Sequence, residues 1–188
     1  MKTKEILEKI KATESPLARQ LLMTGLITRL LEDMGKSAPV LIGGLALSYY
    51  SREIYFTSDI DLAYDDRNAL DAVLISLDFQ KKGRYWVQKE LDLAVEAPAS
   101  YLSGENAPLE IVELEEGLKC VILGLEDLLI DRLNACRHWK STVDCEMAEL
   151  LIVRYQKELD WAYLEKKAEL PENDTLAELE DIKRKLKT

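Results

Sequence analysis

Apolar side chains in the first part of the chain recur at helical spacing. From Leu17 to Leu31 they return every three or four residues, and Gly35 follows the last of them. Just before this stretch, Ser15 offers a capping hydroxyl and Pro16 suits the first position of a helix. The pattern predicts helices within residues 7–34, the second of which covers one face of a sheet.

The middle of the chain changes to patterns that are typical of strands. Residues 39–44 form a short apolar run that ends in two glycines, which predicts a buried strand, a tight turn and then a helix over residues 45–50. Residues 59–64 alternate between polar and apolar, so we expect a strand with Asp59 and Asp61 on one face. A helix over residues 68–77 follows.

Further strands are predicted at residues 85–88, 91–96, 109–114 and 117–122, the last two as a hairpin, with Pro98 closing the second. Beyond Gly124 the pattern is helical, with helices at 125–136, 147–164 and 176–186. The predicted fold class is therefore α/β (α+β): a mixed β-sheet flanked by helices, with a helical C-terminal part. We expect N-terminal helices over 1–36, a sheet core over 37–123 and a helical region over 124–188.

Composition and charge narrow the classes of protein. The chain has 188 residues, of which 47% are hydrophobic, so it can bury a substantial core. Its formal net charge of −10 disfavours broad, nonspecific attraction to nucleic acid, because binding to phosphates normally needs clustered Lys and Arg. No apolar run has the length of a membrane span and the first residues lack a signal-like pattern, so we expect a cytoplasmic protein without a membrane partner.

The cysteines are Cys120, Cys136 and Cys145, an odd number without a CxxC pair, and His138 is the only histidine. These residues supply too few ligands for a structural zinc site. We therefore expect free thiols in a reducing compartment.

Two features of the middle segment point to chemistry. Gly43 and Gly44 stand between a strand and a helix, where backbone amides can approach a phosphate and the helix N-terminus adds positive partial charge. Asp59 and Asp61, at positions i and i+2 of a strand, project from one face and can share Mg²⁺. Together they predict a site for a magnesium-bound nucleoside triphosphate.

This order of apolar strand, Gly-Gly, helix and Asp-x-Asp resembles the DNA polymerase β nucleotidyltransferase superfamily. Within it, residues 43–47 and 57–62 are similar to bacterial AbiEii/AbiGii-type nucleotidyltransferase-like proteins. The resemblance implies a nucleotidyltransferase fold, Mg²⁺ or Mn²⁺ as cofactor and an NTP as substrate. It also implies that Gly43, Gly44, Thr57 and Ser58 bind the nucleotide and that Asp59 and Asp61 are catalytic metal ligands.

Members of the superfamily usually complete the metal site with a third carboxylate on a neighbouring strand. Asp92 and Glu96 are the candidates, since the predicted strand places both on one face. Glu96 is favoured because residues 95–98 resemble the Val-Glu-Phe-Pro sequence of some relatives. Glu110 and Glu113 compete with it.

The resemblance continues through residues 126–135 and Asp144. It implies that Arg132 contacts phosphates or supports the acidic cluster, with Lys140 and Asp144 as weaker candidates for a supporting role behind it. Trp86, Trp139 and Trp161 are interpreted as packing residues.

The sequence supports two functions of different class. The first is a metal-dependent transfer of a nucleoside monophosphate from an NTP to an acceptor hydroxyl on RNA, protein or a small molecule, as the resemblance to toxin-like members implies. The alternative is a non-catalytic nucleotide-binding protein, or a partner-binding component of a toxin–antitoxin pair, with the same fold. A cognate protein partner and a homodimer both stay open, because apolar residues of the last helix can dock on either.

Overall fold

The computed structural model describes residues 3–102 and 106–186. Its helices are α1 Thr3–Ala12, α2 Pro16–Asp33, α3 Gly43–Ser51, α4 Arg67–Ser76, α5 Leu125–Trp139, α6 Thr142–Tyr155, α7 Trp161–Glu169 and α8 Leu176–Lys185. Its strands are β1 Val40–Ile42, β2 Asp59–Ala63, β3 Gln80–Lys82, β4 Tyr85–Gln88, β5 Leu93–Ala99, β6 Glu110–Glu113 and β7 Lys119–Ile122.

The strands form one mixed sheet in the order β3-β4-β5-β2-β1-β7-β6. Strand β2 runs antiparallel to β1 and parallel to β5, and β1 also pairs in parallel with β7. Apolar side chains on the three central strands are fully buried against the helices, among them Leu41, Ile60, Leu62 and Val95. The predicted mixed sheet with flanking helices and a helical C-terminal part is confirmed.

Helix α2 begins at the cap that the sequence predicts. The Ser15 hydroxyl accepts a hydrogen bond from the Ala18 N–H at 3.1 Å, and Pro16 takes the first helical position, where no N–H is needed. Helix α2 packs on β7 and α4 and so covers one face of the sheet.

Three element predictions were wrong. Strand β3 was missed because its residues, Gln80–Lys82, are polar and exposed, and only its pairing with β4 makes it a strand. Strand β5 continues through Pro98 to Ala99, and its register with β2 shifts there. A register irregularity tolerates proline, which has no N–H to donate. The predicted helix over 147–164 is two helices, because Asp160 caps α7 by accepting a hydrogen bond from the Tyr163 N–H.

The expectation of three free thiols was also wrong. Cys136 on α5 and Cys145 on α6 form a disulfide across the tight turn between these helices, where their Cα atoms are 4.8 Å apart. Cys120 is a free thiol in the core, and burial raises its pKa to about 12. The pairing was not foreseen because it depends on the angle between two helices, which cysteine spacing does not reveal.

Removing this disulfide is expected to lower the free energy of unfolding by about 2–3 kcal/mol, since it closes a short loop of the unfolded chain. The measurement is urea unfolding of Cys136→Ser/Cys145→Ser against the native protein. Dithiothreitol should destabilise the native protein by the same amount and leave the double variant unchanged. Equal stability of oxidised native protein and double variant would contradict the expectation.

Polar contacts add to the apolar packing that holds the C-terminal helices on the rest of the chain. On α5, Arg137 forms ion pairs with Asp174 and Glu178, so that α8 is tied back to α5. Over the described residues, every helix is too short or too polar to cross a membrane. The boundaries at 36/37 and 123/124 fall between elements, and the division into three regions stays a prediction.

Candidate active site

The site begins where β1 passes into α3. Ile42 is extended, Gly43 adopts a left-handed conformation with φ of +64°, and the helix has no side-chain cap. A residue with a Cβ is strained in this conformation, which explains a glycine here. The Gly44 N–H donates a hydrogen bond to the carboxylate of Asp61. One of the amides that were expected to bind phosphate is therefore already bonded to a carboxylate.

Strand β2 places its two aspartates as its alternation predicts. Ile60 and Leu62 are fully buried in the core, whereas Asp59 and Asp61 lie on the opposite, half-buried face. Asp61 is paired with Ile42 of β1 on one side and with Glu96 of β5 on the other. The central strands thus bring the Gly43 turn and two carboxylates together.

Thr57 and Ser58 lie beside Asp59. The Thr57 hydroxyl accepts a hydrogen bond from the Asp59 N–H at 3.3 Å, and the Ser58 hydroxyl donates one to the Asp59 carboxylate at 3.2 Å. A Cβ built on Gly44 would lie 3.1 Å from Thr57, so the two segments are in close contact. In this structure both hydroxyls bond to Asp59.

The two candidates for a third carboxylate occupy different places. Glu96 lies directly opposite Asp61, and only 13% of its side chain is exposed. Asp92 precedes β5 in a turn, with a left-handed φ of 51°, and lines a separate cavity near Thr57 and Ser58. The expectation that Asp92 and Glu96 share a strand face was wrong, because the strand begins at Leu93. Glu110 and Glu113 lie on the edge strand β6, with no pairing to β2.

The electrostatics of the site centre on Asp61. Burial raises the pKa of its carboxyl group, the hydrogen bond from Gly44 opposes this, and the negative charges of Glu96 and Asp59 raise the pKa further. The positive charge of Arg132 lowers it slightly. Burial and the neighbouring carboxylates therefore destabilise the ionised form of Asp61, and a bound cation would relieve this destabilisation.

Arg84 is a residue of this site that the sequence did not reveal. Its Nε lies 3.2 Å from a carboxylate oxygen of Glu96, and its guanidinium stacks on Tyr85, 4.9 Å from the ring centroid. The pairing exists because the hairpin sets Tyr85 of β4 opposite Glu96 of β5. From sequence, the only signal was a basic residue in the turn before a strand.

Arg132 lies near the acidic residues but is bound to two carboxylates. It donates to Asp144 of α6 at 2.7 Å and also to Asp131, and only 14% of its side chain is exposed. Lys140 ends α5 with a left-handed backbone and is exposed. Within the described residues Arg132 lines the same cavity as Asp61, and Lys140 does not.

That cavity has a volume of about 640 Å³ and lies between the sheet and the C-terminal helices. Gly43 and Asp61 form part of its floor, Arg132 and Trp139 of α5 line one wall, and Tyr101 lies at the end of β5. The charged side chains among its described lining residues are four carboxylates and two cations. The carboxylates are Asp61, Asp127, Asp131 and Glu172, and the cations are Arg132 and Lys167.

The side chains fit a divalent cation by their chemistry. Carboxylate oxygens are the preferred ligands of Mg²⁺, and a cation relieves the charge that burial disfavours on Asp61. As they stand, no three Asp, Glu, His or Cys side chains come together as a metal-binding group in the part of the chain that is described. Glu96 is instead paired with Arg84.

Comparison with solved structures gives similarity at the level of the whole chain. No protein-family model matches the chain, and no curated protein matches it by sequence. The solution structure of the antibiotic-resistance factor ANT(2'')-Ia, described as having substrate-regulated conformation dynamics, aligns with a TM-score of 0.48 and 14% identity. The alignment covers 100% of this chain and 97% of that one. The function is accordingly inferred from the residues of the site.

Proposed function

We propose that the protein transfers a nucleoside monophosphate from an NTP to an acceptor hydroxyl. The observation that carries the proposal is the pairing of Asp61 with Glu96 on adjoining strands, beside the glycine turn that begins α3. Asp61 also lines a cavity of about 640 Å³. Carboxylates beside a helix N-terminus supply both halves of a site for a metal-bound polyphosphate.

In the proposed reaction the acceptor oxygen attacks the α-phosphorus, the bond from that phosphorus to the bridging oxygen breaks, and pyrophosphate leaves. Asp59, Asp61 and Glu96 would hold Mg²⁺ or Mn²⁺, which neutralises phosphate oxygens and polarises the phosphorus when bound. Glu96 takes the proton of the acceptor hydroxyl once it is released from Arg84. The freed guanidinium of Arg84 then pairs with phosphate oxygens.

The polar neighbours of the aspartates have positioning roles in this scheme. Thr57 and Ser58 orient Asp59 through their hydroxyls, and Gly43 leaves room for the Asp61 carboxylate. Arg132 holds α6 against α5 through Asp144 and contributes positive charge to the cavity. The transfer experiment identifies the acceptor as RNA, protein or a small molecule.

Incubation with Mg²⁺, cell extract and an NTP labelled on its α-phosphate tests the activity. A labelled acceptor is expected with the α-label and not with a γ-label, because pyrophosphate carries the γ-phosphate away. Nucleotidyl transfer is contradicted if no NTP, whatever its base, labels an acceptor. It is also contradicted if the α-labelled and the γ-labelled NTP label the acceptor equally.

Binding of the NTP is expected to depend on the metal. The described cavity lining carries two more carboxylates than cations, so a polyphosphate without Mg²⁺ meets net repulsion. Calorimetry should show binding with Mg²⁺ and at least about tenfold weaker binding in EDTA. Asp92→Asn removes the same charge from a turn outside this cavity, and it should leave the affinity unchanged.

A non-catalytic nucleotide-binding protein is the second candidate, and the ion pair between Arg84 and Glu96 favours it. If that pair persists with ligand, Glu96 is unavailable as a metal ligand and Arg84 is the nearest exposed cation to it. NTP binding that is as tight in EDTA as in Mg²⁺, with no transfer of the α-label, identifies this function. Stoichiometric co-purification of a partner protein then supports the partner-binding form of this candidate.

A further inference from the structure

Two aromatic side chains of the cavity are left open to solvent. Trp139 is 76% exposed and Tyr101 is 73% exposed, and both border the cavity that contains Asp61. The interpretation of Trp139 as a packing residue was therefore wrong, whereas Trp86, at 3% exposure, is indeed in the core. An indole on the surface at the edge of a polar cavity is a flat apolar platform without a partner in the described structure.

Trp139 lies at a defined distance along α5 from Arg132, whose charge acts on Asp61. It follows Arg132 on α5 by seven residues, which is two turns and about 10.5 Å along the helix. Both side chains line the cavity, and the charge of Arg132 acts on Asp61. Along α5 the cavity thus has a charged end at Arg132, whose charge acts on Asp61, and an aromatic end at Trp139, and Tyr101 also borders the cavity.

We propose that the indole of Trp139 stacks on the base of the nucleotide and that the site accepts purine nucleoside triphosphates in preference to pyrimidine ones. This inference rests on the proposed function, because it takes the phosphates to lie at the Asp61 end. The ribose then spans the space between the two ends. Stacking on aromatic side chains stabilises any base, and the larger purine ring covers more of the indole.

One amide side chain that lines the cavity already has hydrogen-bond partners within the protein. On the cavity wall, Asn173 accepts a hydrogen bond from Asn134 at 2.9 Å and donates one to the Lys167 carbonyl at 2.8 Å. Its backbone carbonyl bonds to His138 at 2.7 Å. Both polar atoms of the Asn173 amide are therefore already engaged within the protein, and the proposed preference rests on ring size.

Calorimetry with Mg²⁺ and four ligands, namely ATP, GTP, CTP and inorganic tripolyphosphate, tests the proposal on three variants. Trp139→Ala is expected to weaken ATP and GTP binding on the order of tenfold, to weaken CTP binding less, and to leave tripolyphosphate binding unchanged. Trp139→Phe should keep most of the ATP affinity. Phe56→Ala removes a comparably exposed ring, at 68%, from a different cavity and should change nothing.

The outcomes separate this inference from the function on which it rests. Tight binding of ATP and tripolyphosphate by the native protein, with no change in Trp139→Ala, overturns the stacking role and leaves the nucleotide site intact. Equal loss of ATP and tripolyphosphate binding also overturns it, because the residue is then structural. No binding of any NTP by the native protein overturns both proposals. A lowered transfer rate with unchanged NTP affinity assigns the ring to the acceptor instead.

Discussion

Asp61→Asn is expected to lower the rate of nucleotidyl transfer on the order of 10²–10³-fold and, at neutral pH without metal, to raise the melting temperature. The rate falls because an amide cannot supply the charge that holds the metal against the phosphates. The melting temperature rises because the native carboxylate is half-buried beside Glu96 and Asp59, which disfavour its charge. Asn keeps an oxygen that can accept the hydrogen bond from Gly44.

The pH dependence of this gain follows from the direction of the pKa shift. The pKa of Asp61 is raised in the folded protein above its ordinary value of 3.8, so the folded state holds the proton more tightly than the unfolded state. The stabilisation from that proton is complete below about pH 3.8 and is lost as the pH rises through the raised pKa. The difference in melting temperature between Asp61→Asn and native protein should therefore shrink as the pH falls.

Thermal unfolding of both proteins from pH 3.5 to 8, with the transfer assay at pH 7.5, measures the two effects. Asp92→Asn serves as control, since it removes an exposed charge that lies outside the cavity and should change neither quantity. Mg²⁺ should stabilise the native protein more than Asp61→Asn, because binding to the folded state alone raises its stability. Full activity of Asp61→Asn would remove Asp61 from the mechanism.

The parts of the site that follow local rules were predictable from the sequence. Strand alternation put Asp59 and Asp61 on one face and sent Ile60 and Leu62 into the core. The apolar run before Gly43 gave a buried strand followed by a turn. These features depend on residues that are neighbours in the chain, so their pattern is visible without the fold.

The parts that depend on pairing between distant segments were not predictable. Whether Asp92 or Glu96 adjoins Asp61 is decided by where β5 begins and by its register with β2, and a shift of one residue moves every side chain to the other face. The contact of Arg84 with Glu96 needs the hairpin of β4 and β5. The exposure of Trp139 depends on where α5 ends and on what covers that end.

The disulfide shows the same division between local and distant information. Each of its cysteines lies on a helix that the apolar pattern predicted at least in part, but the packing of α5 against α6 decides that Cys136 meets Cys145. The ion pair of Arg132 with Asp144 spans the same two helices. Arg132 thus links α5 to α6 in addition to lining the cavity.

Gly43→Ala is expected to destabilise the protein by about 2–4 kcal/mol and to lower transfer by about 10²-fold. The backbone of the alanine must adopt a left-handed conformation, which costs roughly 1–2 kcal/mol, and overpacking by the new methyl group adds a similar amount. Its ideal position is 3.1 Å from Cβ and Cγ of Asp61 and closer still to the carboxylate oxygen Oδ2. Asp61 must therefore move, and a displacement of about 1 Å of a catalytic group is worth about 10²-fold in rate.

Two further variants separate the backbone strain from the clash. Gly35 has a similar φ of +71° with nothing within 4 Å of the ideal Cβ, so Gly35→Ala carries the strain alone. In Gly43→Ala/Asp61→Ala the colliding carboxylate is gone, and the double variant should be more stable than the sum of the two single effects predicts. Urea unfolding of the native protein, Gly43→Ala, Asp61→Ala, the double variant and Gly35→Ala measures these effects. If Gly43→Ala costs no more than Gly35→Ala, the carboxylate of Asp61 does not lie against the turn, and the proposed geometry of the site is wrong.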